Sequence, residues 1–377
     1  MRFLTAGESH GPGLTVIIEG LPAGFQLSID ELNRELARRQ QGYGRGARMQ
    51  IESDQVQVYS GLRAGRTLGS PLTLHIANRD YANWKPFTHP LAVSEPGREI
   101  ICPRPGHADF AGGFKYGFAD LRDVADRASA RETAARVAVG GVAKQMLAAL
   151  AITIRSRVIA IGEVGMGADA PWDEAAVEAC PLRCGEAEIS REMIAAIDAA
   201  AERGDSWGGA FQLEARGVPI GLGSVMHWDR RLDGLIAQAL ISIPAIKGLE
   251  FGQGIWQSRV PGSQAQDQLY WTDNGPRRET NWAGGLEGGM SNGEPISVVC
   301  YMKPIPSIAQ PLSSFHWLTR TSAMASRERA DTCAVPAASI VGEAVMAITL
   351  LQVLLEQVGG DRWQQVVERV EALREWC

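Results

Sequence analysis

The sequence predicts one large domain in which strands and helices are interleaved, and three observations indicate it. Strand-like and helix-like segments alternate along the 377 residues instead of forming separate blocks. No segment of about 20–50 residues repeats, and no linker divides the chain. The composition, 45% hydrophobic and 21% charged, is that of a globular protein, which excludes a disordered or collagenous chain. We therefore expect a single interleaved α/β domain over residues 1–377.

Two capping boxes predict helix starts. Residues 28–31 (SIDE) and 129–132 (SARE) each place a serine three residues before a glutamate, the pattern of a helix N-terminus. The first helix is predicted to run to Gly42, because apolar residues recur there at helical spacing. The second is predicted to run to about Leu150, and its many alanines and glycines indicate close packing against another element.

Apolar runs bounded by turn residues predict the remaining elements. Strands are predicted at 16–19, 49–59, 72–77, 152–164, 209–215 and 296–302. Helices are predicted at 190–203, 229–242, 337–358 and 363–376. Segments without a regular period lie at 41–48, 78–123 and 273–292, and 303–307 is a rigid extended segment. The longest of them contains seven aromatic residues, which argues against disorder and favours an ordered functional loop region.

The charges argue against large anionic partners. Lys and Arg total 37 against 43 Asp and Glu, a net charge of −6, so no general attraction to nucleic acid or to a membrane surface is expected. Locally the balance differs, since seven arginines lie between residues 34 and 66 against three acidic residues. This excess is typical of either a binding site for a small anion or a solvated basic face.

The cysteines and the termini indicate a cytoplasmic protein without a structural metal. The six cysteines include no C-x-x-C pair, and the six histidines are scattered singly, so reduced thiols are expected. The N-terminus has neither the basic stretch nor the long apolar run of a signal peptide. The longest apolar stretch, residues 344–355, is shorter than the roughly 20 residues of a membrane span.

Four short motifs carry groups that could do chemistry. His10 in G-E-S-H-G and His107 in R-P-G-H-A-D lie in glycine-rich turns, the latter with Asp109 nearby, where a histidine can be a general acid or a structural residue. The string at 127–132 (RASARE) opens a helix and either binds phosphate or only caps it. The string at 327–331 (RERAD) is typical of a salt-bridged surface turn. Rossmann, P-loop and α/β-hydrolase signatures have no match in the sequence.

Taken together, these strings resemble the chorismate synthase family. Seven segments occur in the family's order over nearly the whole chain, and the stretches that vary most among members are residues 150–205 and the C-terminal tail. The segments are GESHGPGLTVIIEGLP (7–22), RRQQGYGRGARMQIESDQV (38–56), RPGHADFAGGFKYG (104–117), RASARETAARVA (127–138), NWAGGLEGGMSNGEPI (281–296), MKPIPS (302–307) and RERADTCAVPAASIVGEAV (327–345).

The resemblance implies an α+β fold, a single large β-α-β sandwich with a helical layer between antiparallel sheets. It implies conversion of 5-enolpyruvylshikimate 3-phosphate to chorismate plus phosphate by trans-1,4-elimination, the last common step toward aromatic amino acids. It also implies reduced FMN as an obligatory cofactor without net redox change, and a homotetramer. NADPH as the reductant and a separate flavin reductase as a partner both stay open, because members that reduce their own flavin also lack a Rossmann signature.

The resemblance assigns roles to residues by motif. His10 matches the acid that protonates the departing phosphate, His107 the partner of the flavin N1 edge, and Asp331 the aspartate that works with flavin N5 in removing the ring proton. The arginines expected to bind substrate or an NADP phosphate are Arg39, Arg45 and Arg48. Flavin contacts are expected at Arg127, Ala128, Ser129, Pro244, Ala245, Gly288, Lys303, Pro304, Ile305, Pro306, Ser307 and Arg329, with Ser9, Arg131 and Asn292 as further substrate candidates.

Three positions depart from the family pattern. Ala128 replaces the usual Ser, Pro244 stands where Asn or Gln is common, and Ala330 stands where many members have His or Ser. None of them is a catalytic candidate, so activity is still expected. The competing hypothesis is a non-catalytic protein that binds flavin or a phosphometabolite, against which the retained histidine pair and Asp331 argue.

Overall fold

The computed structural model describes residues 1–46, 53–273, 275–328 and 330–375. Its strands are two to nine residues long. Within these residues the strands are β1 (Arg2–Ala6), β2 (Gly13–Glu19), β3 (Gln57–Ser60), β4 (Leu62–Arg63), β5 (Arg66–Thr67), β6 (Leu72–Ala77), β7 (Thr153–Ile161), β8 (Val164–Gly165), β9 (Gly209–Arg216), β10 (Ile246–Phe251), β11 (Leu269–Thr272), β12 (Gly275–Arg278), β13 (Leu286–Glu287), β14 (Met290–Ser291), β15 (Ile296–Met302), β16 (Ser313–Phe315) and β17 (Ser322–Met324).

The helices fall into long central ones and short ones in the connections. They are α1 (Ile29–Gln40), α2 (Tyr81–Thr88), α3 (Asp109–Tyr116), α4 (Arg122–Ala128), α5 (Thr133–Ala148), α6 (Glu174–Ala179), α7 (Ala187–Glu202), α8 (Leu232–Ile241), α9 (Gly254–Gln257), α10 (Gly262–Ala265), α11 (Val335–Val358) and α12 (Trp363–Arg374).

Two antiparallel sheets enclose the long helices. The strand order is β1-β2-β6-β3 in one sheet and β10-β15-β9-β7-β8 in the other. Along β2, Leu14, Val16 and Ile18 point to the core in alternation, as expected for a sheet with one buried face. Helices α1, α5 and α11 pack on one another, α5 against β2 and α11 against β7 and β9, so one apolar core joins both sheets. The expected β-α-β sandwich is confirmed, while the prediction of a single domain over residues 1–377 stays a prediction.

The close packing predicted for the second capped helix, α5, is confirmed. A Cβ at Gly140 would lie 2.4 Å from the Cα of Ala344 in α11, so the two backbones approach closely only because this residue is glycine. A Cβ at Gly141 would lie 2.7 Å from Cδ2 of Leu32 in α1. Two adjacent glycines therefore allow the three central helices to pack closely together.

Helix α11 is longer than the apolar stretch recognised in the sequence. Its 24 residues are long and apolar enough to cross a membrane by length and composition, so the expectation of a stretch too short for this was wrong. However, 89% of its most apolar part is buried inside the structure. The apolar character of α11 is therefore that of a helix surrounded by protein on all sides.

A buried ion cluster joins the layers around Glu343 of α11. This side chain is fully buried and accepts hydrogen bonds from Arg38 of α1 at 2.8 Å, Lys144 of α5 at 2.7 Å, Ser156 of β7 at 2.6 Å and Arg183 at 3.2 Å. Burial alone would raise the pKa of Glu343, but the three cations outweigh it and hold the pKa well below its usual range.

The segment 78–123, predicted as an ordered loop region, is helical in places where no period was visible, so the prediction was wrong for those places and not for residues 89–108. Helices α2 and α3 lie in it, and α4 begins there. Gly112 and Gly113 hide the helical signal of α3, yet a Cβ at Gly112 would lie 2.3 Å from Val124 of α4. The glycines are present because α3 and α4 pack closely. In α2, Pro86 similarly weakens the helical signal of the sequence.

Several boundaries also differ from the predictions. The strand β1 was not predicted. The segment 273–292, predicted to be a loop, contains the hairpin of β13 and β14 and also β12, which pairs with β11 just before the segment. Of the strand predicted at 49–59, residues 57–59 lie in β3, residues 53–56 are not in a strand, and residues 49–52 lie outside the described residues. The helix predicted from Ser129 begins with a short 3₁₀ turn, Ala130–Glu132, before α5.

Candidate active site

A cavity of about 800 Å³ lies where the central helices meet several loops. Its walls come from the end of α1, the loop before α3, the turn before α5, the turn after α8, the segment after β15 and the start of α11. One wall is apolar and includes Ile243, Ile308, Ala337 and Val341. Another part of the wall is basic, because arginines of α1 and of the turn before α5 are concentrated there. A cavity of this size and mixed lining is typical of a site for small molecules.

Arg39, Arg45, Arg131 and Asp331 line the basic part of the cavity, and Asp54, outside the wall, pairs with two of these arginines. Arg131 donates to Asp54 Oδ2 at 2.6 Å, and Arg39 Nη1 lies 3.7 Å from the same oxygen. Arg45 Nε lies 3.3 Å from Asp331 Oδ2. These five groups carry one net positive charge among them, which favours an anionic ligand.

Arg39 is the member of this group whose position most clearly favours a ligand. Its Nε donates to Thr133 at 2.9 Å and one Nη donates to the carbonyl of Ala130 at 2.9 Å, so the guanidinium is held in place. The other nitrogen, Nη1, is buried and has no hydrogen-bond partner among the described residues. Burial lowers the pKa of Arg39 to about 10, with the charges of Arg45 and Arg131 acting in the same direction. The group stays cationic at neutral pH and has a donor left for an anion.

Asp331 connects two segments of the cavity wall. Its Oδ1 accepts the backbone N–H of Gly46 at 2.7 Å, and Oδ2 pairs with Arg45. The neighbouring Thr332 donates its backbone N–H to the carbonyl of Gly44 at 2.8 Å. Asp331 thus lies in the cavity wall and also anchors the loop that follows α1.

His107 is fixed by a fully buried aspartate. Its Nδ1 lies 2.6 Å from Asp109 Oδ1, and Arg104 donates to Asp109 from its backbone at 3.1 Å and from Nε at 2.7 Å. Burial alone would raise the pKa of Asp109, but the bonds from His107 and Arg104 outweigh it and hold the pKa well below its usual range. An ionised Asp109 requires the proton on Nδ1 of His107, so Nε2 is the nitrogen that remains for a ligand in the cavity.

His10 lies beside the cavity and not in its wall. Its Nδ1 lies 2.8 Å from Asp126 Oδ1, and its ring stacks on Trp84 with centroids 3.7 Å apart. Asn78 ties the loop of His10 to the cavity, because its amide donates to the carbonyl of Gly11 at 2.7 Å and its oxygen accepts from Arg131 at 3.0 Å. The G-E-S-H-G loop and the arginine group are therefore one connected structure.

Most of the residues expected at the site meet in this cavity. The positions in its wall are Arg39, Arg45, His107, Ala128, Ser129, Arg131, Pro244, Ala245, Lys303, Ile305, Pro306, Ser307 and Asp331. All three positions that depart from the family pattern, Ala128, Pro244 and Ala330, also lie in the wall. Ala245 has a φ of +69°, a left-handed conformation that is uncommon without glycine, and its carbonyl accepts the N–H of Lys303 at 3.0 Å.

The other expected residues lie elsewhere. Arg127 turns away from the cavity and donates to the main-chain oxygens of Thr5 and Gly7 at 3.2 and 3.1 Å. Gly288 lies in the turn between β13 and β14. Pro304, Ser9 and Asn292 are also absent from the wall. Arg48 and Arg329 lie outside the described residues.

Sequence reasoning missed the carboxylates and the amide that hold the histidines and arginines. Asp126, Asn78 and Asp54 are separated from their partners by 116, 53 and 77 positions, so no local motif contains the pairs. Asp109 was noted beside His107, but its role as the partner of Nδ1 was not predicted. Asp126 is buried on α4, and because burial is visible only in the structure, it offered no signal in the sequence.

The fold and this site define an enzyme with a basic cavity for a small anionic substrate. A family profile described as chorismate synthase matches residues 1–355. The chain is 52% identical to a chorismate synthase of Moorella thermoacetica, covering 100% of this chain and 99% of that protein, and 50% identical to chorismate synthase 1 of Bacillus thuringiensis over the same shares. A solved structure described as "Crystal Structure of Chorismate Synthase" aligns with a TM-score of 0.79 and 42% identity, covering 98% of this chain and 96% of that chain. The chain belongs to the chorismate synthase family and is a lyase of the shikimate pathway.

Proposed function

We propose that this chain catalyses the reaction of its family in the cavity described above. It converts 5-enolpyruvylshikimate 3-phosphate to chorismate and phosphate by trans-1,4-elimination, with reduced FMN as the cofactor. The observation that carries the proposal is the convergence of His107, Asp331 and the arginine group on one cavity of about 800 Å³. The group includes Nη1 of Arg39, which has no hydrogen-bond partner among the described residues. A substrate with a phosphate and two carboxylates matches the excess of guanidinium groups, since arginine binds such anions through two parallel donors.

The residues present fit a flavin in the same cavity. Pro306, Ile308 and Val341 offer apolar surface for a planar ring, while Lys303 and Ser307 lie at the same wall. Lys303 Nζ donates to the carbonyl of Gly106 at 2.6 Å, and Ser307 accepts from Arg104 at 3.0 Å. Reduced FMN supplies electron density that eases loss of the allylic phosphate and a basic nitrogen for the ring proton. Ala128, Ser129, Pro244 and Ala245 would complete the cofactor's surroundings.

The chain's own groups would move protons and neutralise charge around these ligands. His10 would act as the acid for the departing phosphate, and His107, with its proton fixed on Nδ1, would present Nε2 to the flavin N1 edge. Asp331 would act at the ring proton of the substrate, and Arg39, Arg45 and Arg48 would hold phosphate and carboxylates. Arg329 and the remaining predicted flavin contacts belong to the proposal on the resemblance alone.

An anaerobic assay tests the function. Purified protein receives dithionite-reduced FMN and 5-enolpyruvylshikimate 3-phosphate, and chorismate absorbance and phosphate release are followed together. Equal amounts of chorismate and phosphate are expected. Bound FMN without product would contradict the lyase activity and support the competing hypothesis of a flavin-binding protein.

The proposal also concerns the source of reduced flavin, the cellular compartment and the oligomeric state. Either NADPH reduces FMN on this protein or a separate flavin reductase supplies it, and an aerobic assay with NADPH as the sole reductant distinguishes the two. The five cysteines among the described residues are free thiols, which supports a reducing, cytoplasmic compartment. A homotetramer is proposed from the family resemblance, and light scattering of the purified protein tests it.

A further inference from the structure

The ring of His10 is held at one nitrogen by a carboxylate. Asp126 Oδ1 lies 2.8 Å from Nδ1, and Ser9 Oγ lies 3.2 Å from the same nitrogen. The side chains of His10 and Asp126 are 11% and 8% exposed, so little solvent reaches this contact. The backbone carbonyl of Asp126 also accepts the N–H of Ser9 at 3.0 Å, which fixes the loop of His10 to the end of α4.

This contact restricts where the protons of His10 can be. An ionised carboxylate at hydrogen-bond distance requires a proton on Nδ1, because two acceptors would otherwise face each other. A neutral His10 in this arrangement therefore has no proton on Nε2. Only the imidazolium carries a proton on Nε2, so an acid acting through that nitrogen must be charged before it reacts.

The carboxylates beside the two histidines differ in their contacts with arginines. Asp109 is already neutralised by Arg104, which reaches it at 2.7 and 2.9 Å from two guanidinium nitrogens. Arg122 donates to Asp126 Oδ1 at 3.5 Å and makes a shorter contact, 2.8 Å, with Glu328. Asp126 Oδ1 thus has a long contact with Arg122 and a shorter one, 2.8 Å, with His10. The two histidines have the same Nδ1 contact but different counter-charges.

Trp84 covers the open face of this pair. Its ring lies 3.7 Å from that of His10, centroid to centroid, and its Nε1 donates to Asp80 at 3.0 Å. The guanidinium carbons of Arg98 and Arg122 each lie 4.9 Å from the centroid of the same indole ring, so His10 packs in a cluster that already contains two cations.

We propose that Asp126 is the positioning residue of His10: it fixes the proton on Nδ1, so that the proton His10 delivers comes from Nε2. This inference rests on the proposed function for its catalytic consequence. The position of the proton itself does not depend on that function. Asp126 is not among the residues of the cavity wall and would act through His10.

Nitrogen-15 NMR of histidine-labelled protein tests the position of the proton. The signals of His10 are assigned by their loss in His10→Gln. In the wild-type protein we expect Nδ1 of His10 to show the shift of a protonated nitrogen in both the neutral and the charged ring. In Asp126→Asn the neutral ring should carry its proton on Nε2. A neutral wild-type ring with a bare Nδ1, or an unchanged spectrum in Asp126→Asn, would overturn the proposal.

Turnover tests the consequence. Asp126→Asn should lower kcat about 10²–10⁴-fold with KM changed little, the scale seen when an aspartate that orients a catalytic histidine is replaced. Asp126→Glu should recover part of the loss, and the exposed Asp123→Asn on the same helix should behave as wild type. Thermal unfolding and FMN binding of each variant show whether it is folded. Wild-type kcat in folded Asp126→Asn would refute the role, whereas no chorismate from the wild-type protein would refute the proposed function and leave the NMR result to decide on Asp126.

Discussion

Arg38 of α1 reaches into the helical layer and donates from Nη1 to Glu343 of α11 at 2.8 Å. Its neighbour in sequence, Arg39, points the other way and lines the cavity. Two adjacent arginines thus separate a structural role from a binding role. The last turn of α1 is held by the buried carboxylate, and the guanidinium of Arg39 is held in turn by the position of that helix.

Replacing Glu343 should destabilise the protein strongly. Glu343→Gln leaves Arg38, Lys144 and Arg183 without their shared carboxylate, and removing one partner of a buried ion pair costs about 3–5 kcal/mol. We expect a loss of this size in the free energy of unfolding, measured by urea denaturation. The exposed Glu356→Gln on the same helix, whose partner is the exposed Arg230, should change it by less than about 1 kcal/mol.

The contribution of Glu343 should also depend on pH with a definite sign. Its pKa is depressed in the folded protein, so the stabilisation is complete above the pKa of an unfolded glutamate and is lost as the pH falls toward the folded value. The difference in unfolding free energy between wild type and Glu343→Gln should therefore shrink as the pH falls below about 4.5. A difference that grows with acidity would contradict the cluster described here.

Gly140→Ala should destabilise a helix contact, although alanine is the better helix former. The new Cβ would lie 2.4 Å from the Cα of Ala344, so the backbones of α5 and α11 must separate. Overpacking of this kind costs about 1–3 kcal/mol, which thermal unfolding measures. Gly234→Ala in α8 is the control, because its nearest atom is 3.9 Å away and the change should be neutral or stabilising. Equal melting temperatures for the two variants would refute the close approach.

The fold was predictable where local signals and packing agree. The helix α1 begins at the predicted capping serine, whose Oγ accepts the N–H of Glu31 at 3.3 Å, and β6 matches its predicted bounds. The helix α3 was missed because Gly112 is chosen for contact with α4 and not for helix propensity. Sequence periodicity predicts each helix or strand from its own residues. It cannot explain a residue whose identity is set by packing against a neighbouring element.

The motif residues of the site were predictable from the sequence, whereas the residues that hold them in place were not. Motif resemblance selected His107 and Asp331, and the structure brings both to one cavity. Asp126 and Asn78 lie in unremarkable strings, and their importance follows from partners distant in sequence. A motif can also mislead. Arg127 was predicted from its motif to contact the flavin, but its guanidinium contacts Thr5 of β1 and Gly7 instead.

His107→Ala should remove most activity and keep the cofactor bound. The ring lies in the cavity wall with Nδ1 fixed by Asp109, and positioned acid–base groups contribute about 10²–10⁴-fold to rate. We expect kcat to fall by that factor under anaerobic conditions, with FMN binding retained in a fluorescence titration. His227→Ala, which alters an exposed histidine, should keep wild-type turnover. Full activity of His107→Ala would remove this residue from the mechanism.

Arg39→Lys should weaken substrate binding through geometry alone. Lysine keeps the positive charge but loses the planar fork whose Nη1 lacks a partner among the described residues. Loss of a charged hydrogen bond, about 1.5–3 kcal/mol, predicts a KM for the substrate about 10–100-fold higher with a smaller effect on kcat. Arg34→Lys, on the exposed side of α1, should leave KM unchanged. An unchanged KM in Arg39→Lys would show that Nη1 does not face the substrate.

Ala128→Ser should tighten flavin binding. Ala128 ends α4 and lies in the cavity wall, at a position where the family resemblance led us to expect serine. A hydroxyl that reaches the bound cofactor contributes about 1 kcal/mol, which corresponds to a Kd roughly five-fold lower in a fluorescence titration with FMN. Ala119→Ser, at an exposed residue outside the cavity wall, should leave the Kd unchanged. If the Kd of Ala128→Ser is also unchanged, residue 128 does not reach the flavin through its side chain, and the alanine found here costs no affinity.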